Sequence, residues 1–195
     1  MAEKKKKLPV ITLGIDDIGR LGFKAASFVD FPAIEENFIF LKNHKQKPVY
    51  LASEERRMVY GPILIPDQLI YRVDEETGEE YYVKFTAETI RAVAYRMMKQ
   101  GQQNNHTVMH EVEVDGCYIV ESWIKENEND KSVALGFDLP IGTWFIGSHV
   151  ENNAVWAGVK SGEFRGWSIE AYFDEVSVSM SEEKLLAEIE KLLKE

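Results

Sequence analysis

An α+β fold is expected for this chain, on three observations. Most of its length reads as short runs with apolar residues at alternate positions, each closed by Gly, Pro, Asn or Asp. One stretch, 86–101, switches to helical spacing, with Ile90, Val93, Ala94, Met97 and Met98 on one stripe. A second, shorter helical pattern follows Asn153.

The elements follow in order. Residues 9–15 and 24–28 read as strands, with Val29-Asp30-Phe31-Pro32-Ala33 as the turn after them. A short extended run covers 37–42, and 44–47 is a charged loop. The strand 58–65 stops at Pro66-Asp67, 69–73 succeeds it, and an acidic turn at Thr77-Gly78 leads into 81–85. Thr86 is a good N-cap for the long helix and Gly101 a good stop. Two β-rich runs across 106–124 meet at Asp115-Gly116, and further strands are expected at 132–137 and 143–150. Asn153 caps a helix over 154–160 that Gly162 ends, and another strand starts at Gly166. Near the end, Ser179 and Glu182 form a capping-box pair before a stripe of Leu185, Leu186, Ile189, Leu192 and Leu193. That pattern predicts a C-terminal amphipathic helix. The organisation expected is a basic tail with the first strand over 1–21, the main domain over 22–178, and the helix over 179–195.

Composition narrows the function. A chain of 195 residues, 45% hydrophobic, is long enough for one domain with a sizeable core. A net charge of −10 argues against nucleic acid as a partner, and the only basic cluster is the lysine run 4–7. No apolar run approaches the roughly 18 residues of a membrane-spanning helix. Pro9, Gly14, Asp16 and Asp17 interrupt the segment that a signal peptide would need, so a soluble intracellular protein is expected. The single cysteine, Cys117, excludes an intrachain disulfide and reads as a small buried hydrophobe. No His or Cys pair has zinc-ligand spacing and no Gly-rich phosphate loop occurs, so neither metal nor cofactor is expected. His44 and His106 read as loop residues, and His149 as a strand histidine.

The candidate chemistry starts at Asp115-Gly116. Asp-Gly between alternating runs is a strong signal for a two-residue hairpin turn. That register sets His110 opposite Glu121, an imidazole beside a carboxylate on an otherwise apolar face. Such a pair is the orienting half of a hydrolytic triad; by spacing alone it reads more readily as a structural ion pair. Ser168, in Gly166-Trp167-Ser168-Ile169-Glu170, supplies a candidate nucleophile, and its bland reading is an ordinary strand serine. Its hydroxyl needs an adjacent base and a third group that holds the base. Glu170 shares the Ser168 face by alternation and is a candidate for substrate binding.

The motifs also carry a resemblance. Tyr60-Gly61-Pro62, Ile65-Pro66-Asp67, Ile70-Tyr71-Arg72, Glu79-Glu80-Tyr81-Tyr82-Val83, His110-Glu111, Val120-Glu121-Ser122-Trp123-Ile124, Pro140-Ile141-Gly142-Thr143-Trp144 and Gly166-Trp167-Ser168-Ile169-Glu170 occur in this order. Together they resemble the XkdF-like branch of the phage prohead serine proteases, over roughly 22–173. The resemblance implies an assemblin-like bent β-barrel with surrounding helices. It also implies a serine endopeptidase that cleaves scaffold and major capsid proteins inside the procapsid, in the host cytoplasm. Homo-oligomers would fit such a role. Ser168 is then the nucleophile and His110 the base, while Glu121 is taken as the third member from the hairpin register. Gly166, Ile169, Glu170 and Arg165 are candidates for the oxyanion or substrate site. Ala171 departs from the glycine usual after Ser-Ile-Glu in that family. The competing reading is a non-enzymatic virion or scaffold-associated β-barrel protein.

Overall fold

In a computed structural model, residues 8–16, 22–36, 39–40, 56–74 and 77–175 are described. The mixed α+β composition is as expected: twelve strands and three α-helices among these residues. The strands are β1 Val10–Gly14, β2 Gly22–Val29, β3 Ile39–Phe40, β4 Met58–Leu64, β5 Ile70–Val73, β6 Glu80–Phe85, β7 His106–Val108, β8 Val112–Glu113, β9 Cys117–Ile124, β10 Trp144–Val150, β11 Gly166–Tyr172 and β12 Asp174–Glu175. The helices are α1 Ala87–Lys99, α2 Lys131–Ala134 and α3 Asn153–Ser161. The basic tail 1–7, His44 and the helix expected over 179–195 lie outside the described residues.

Three four-stranded sheets result, ordered β12-β1-β6-β5, β3-β4-β10-β9 and β11-β2-β7-β8. The second is wholly antiparallel, whereas β1–β6 and β2–β7 are parallel pairs. Among the described residues the strands do not close into a barrel. Trp144, Trp156 and Trp167, each at most 1% exposed, anchor the shared core from β10, α3 and β11. Helix α1 buries Ile90, Val93, Ala94 and Met97 in it. Thr86 caps α1 by accepting from the Thr89 N–H, and Gly101 leaves it in the left-handed conformation.

Three local expectations are corrected. Asp115-Gly116 is no hairpin turn. Its two flanking strands lie in different sheets: β8 pairs with β7, while β9 pairs with β10, where Glu121 faces Gly147. The Gly116 carbonyl accepts from the Glu151 and Asn152 amides, so the bend serves the approach to α3. Within 132–137 the chain makes helix α2 in place of a strand, because the Asp130 carboxylate caps the Ser132 N–H at 2.8 Å. The N-cap of α3 is Asn152, one residue earlier than expected.

Candidate active site

The turn that matters lies between β7 and β8. Its closing bond runs from the Glu111 N–H to the Val108 carbonyl at 3.0 Å, with Met109 and His110 as central residues at φ +53° and +62°. Two positive φ values mark a primed hairpin turn, normally built from Asn or Gly. Here a histidine occupies the second position. Two ties hold the turn to β2: the Met109 amide donates to the Phe28 carbonyl at 3.0 Å, and the His110 amide donates to Ser27 Oγ at 2.9 Å.

Strand β11 supplies the facing groups. It is an edge strand paired with β2, Ser168 directly opposite Ser27 and Glu170 opposite Ala25. Alternation puts Ser168 and Glu170 on one face, with Trp167 and Ile169 on the other. Glu170 Oε1 lies 3.3 Å from His110 Nδ1 and accepts from the Thr107 hydroxyl, while Oε2 lies 3.4 Å from Lys24 Nζ. The carboxylate is 13% exposed and the imidazole 42%. A proton on Nδ1, the nitrogen beside Glu170, leaves Nε2 as the acceptor. Directly paired residues hold their Cβ atoms roughly 4.5–5.5 Å apart, so Ser27, which binds the His110 amide, is an immediate neighbour of Ser168.

Glu121, expected beside His110, stands elsewhere. It accepts from the Tyr60 hydroxyl at 2.7 Å and pairs with Lys131, whose Nζ lies 4.4 Å from the Tyr60 ring centroid. Burial works against the charge on Glu121, but the bonds from Lys131 and Tyr60 win and hold its carboxyl below the usual range. Burial and Glu121 together push the Tyr60 phenol up. The cluster seats α2 on the sheet of β9 and β10.

The other sequence candidates sort by burial. Gly166 has no space for a side chain: a Cβ there would meet Pro32 Cγ at 2.5 Å and the Glu36 carbonyl at 2.9 Å. Arg165 bonds the Gly162 carbonyl through Nε at 3.1 Å and lies over Phe31. His106 is a core residue, contrary to the loop expectation. It is 2% exposed, shares a 3.1 Å hydrogen bond with Ser148 and packs edge-on to Trp167. Burial drives its imidazole down to about 4, so it stays neutral at pH 7. Cys117 is buried as expected, its thiol pushed up to about 12 by burial.

Beside β11 lies a cavity of about 400 Å³, most of whose lining residues are apolar. Ile11, Leu13, Val83 and Phe85 line it together with residues of β11 and Phe173, and Arg72 is the charged member of the lining.

A family model described as "Putative phage serine protease XkdF" matches residues 47–177, about two thirds of the chain. The chain belongs to this family. No curated protein matches it, and no solved structure does. The XkdF-family name makes the chain a phage serine protease at family level. The matched span contains His110, Thr107, Ser168 and Glu170, whereas β2, with Lys24 and Ser27, precedes it.

The sequence points to Glu170 as an oxyanion or substrate group, not as the partner of His110, and gives no sign of Ser27, Thr107 or Lys24. The Ser168–Glu170 alternation was a usable signal for the first. Nothing local signals the parallel pairing of β2 with β7 that brings in the others.

Proposed function

We propose that this protein is a serine endopeptidase that cleaves scaffold and major capsid proteins during maturation of the phage procapsid, within the host cytoplasm. Ser168 is the nucleophile, His110 the general base, and Glu170, in place of Glu121, the group that orients it. The observation that carries the reading is the 3.3 Å approach of Glu170 Oε1 to His110 Nδ1 on the face of β11 that bears Ser168. The family membership supports the reading as a phage serine protease.

In the reaction, Ser168 Oγ attacks a peptide carbonyl and His110 Nε2 takes its proton. Glu170 holds Nδ1–H and stabilises the imidazolium that forms. Collapse of the tetrahedral adduct expels the amine, which takes the proton from His110. Water then repeats the sequence on the acyl-enzyme. Backbone amides around Gly166–Ile169 are the proposed oxyanion donors. Among the described residues β11 is an edge strand, and the cavity beside it suits an extended peptide whose alternate side chains enter it. The relation to an assemblin-like bent barrel belongs to the same proposal: Ile63 and Leu64 of β4 line the cavity together with Trp167 and Ser168 of β11.

Co-expression with the capsid and scaffold proteins, read by intact mass, tests the assignment. Defined truncations are expected with the wild-type chain and none with Ser168→Ala. Equal processing by both would remove Ser168 from the chemistry. Assembled shells with no processing by either would point to a structural role.

A further inference from the structure

The proposed nucleophile and base come from separate elements, and one buried hydroxyl links them. Ser27 is fully buried in β2, opposite Ser168 in the antiparallel pair and opposite Thr107 in the parallel one. The row Ser168–Ser27–Thr107 therefore crosses three strands beneath the His110 turn. The turn's own closing bond uses the Glu111 amide, so the His110 amide needs a partner from outside, and Ser27 Oγ is that partner at 2.9 Å. His110 also holds a left-handed φ of +62°, a region uncommon for residues other than glycine. Of the two ties to β2, the one at Met109 is backbone to backbone; only the Ser27 tie depends on a side chain.

We propose that Ser27 is a positioning residue, whose hydroxyl holds the His110 turn in register with Ser168. The inference rests on the reading of Ser168 and His110 as nucleophile and base. It adds a residue from β2, outside the 47–177 family match, to the machinery. Displacement of a catalytic group by about 1 Å can cost on the order of 100-fold in rate.

The test is the rate at which a fluorophosphonate labels Ser168 in the full chain, with Ser27→Thr and Ser27→Val compared. These two side chains have nearly the same shape and differ in the hydroxyl, so any cost of the added bulk falls on both. Ser27→Val should label about 10- to 100-fold more slowly than Ser27→Thr, through a lower limiting rate at unchanged probe affinity. Equal rates for the two, with His110→Ala far slower than wild type, would overturn the role of Ser27 alone. A wild-type chain that is not labelled, or that labels no faster than His110→Ala, would overturn the triad reading instead. Hydrogen exchange at the wild-type His110 amide gives a second measurement: protection is expected, and exchange at the rate of a free amide overturns the proposal.

Discussion

Glu170 and Glu121 differ in what their carboxylates already hold. Glu121 has both oxygens engaged, by Tyr60 and Lys131, on the sheet of β9 and β10. Glu170 receives Thr107, Lys24 and His110 on the sheet of β2 and β7. A carboxylate that fixes a tautomer works through its charge, which the amide cannot supply. Glu170→Gln should therefore lower the labelling rate of Ser168 by about 10²- to 10⁴-fold. Glu121→Gln should leave it within about twofold, since the Tyr60 hydroxyl can still donate to the amide oxygen. The reverse ranking of the two variants would make Glu121 the acidic member and remove Glu170 from that role.

Strand β11 is positioned by a close contact at its start. Gly166 lies against Pro32 and the Glu36 carbonyl, in the turn that follows β2. A methyl group added there has to displace backbone as well as the proline ring. Gly166→Ala should destabilise the fold by about 1–3 kcal/mol, measured by denaturant titration. It should also slow Ser168 labelling, since Ser168 is two residues along the same strand. An alanine variant with wild-type stability would mean that the Pro32 turn yields at no cost. The β7–β8 turn is positioned differently, by ties to β2 that hold two left-handed residues. Met109 has no propensity for the left-handed region, so its surroundings set that half of the turn.

Across the molecule, the site depends on residues that precede the family match. Strand β2 sits between β11 and β7, and β1 pairs with β6 in another sheet. Removal of 1–46 would take away both, leave β11 and β7 without their common partner, and uncover Phe23, Ala26 and Phe28 contacts in the core. The fragment 47–177 should therefore show no cooperative thermal transition, whereas the full chain should. A sharp transition in the fragment would show that the first three strands are dispensable for the fold.

By itself the amino-acid sequence determined the α+β content, most strands, the caps of α1 and the pairing of Ser168 with Glu170 on one strand face. These are short-range properties: periodicity, capping hydroxyls and alternation act within a few residues of chain. It also carried the family, and with it the choice of His110 and Ser168. The tertiary structure decided which carboxylate meets His110. Asp115-Gly116 is the better hairpin signal, yet the core places β8 and β9 in different sheets. That arrangement buries Cys117, Ile119 and Ile124 against β10 and sets His110 over β2 and β11. A helix took 131–134 because one capping aspartate outweighed alternation, and His106 was drawn inside by its parallel pairing with β2. Partner choice among strands distant in sequence is set by burial of their shared face, which no local pattern encodes.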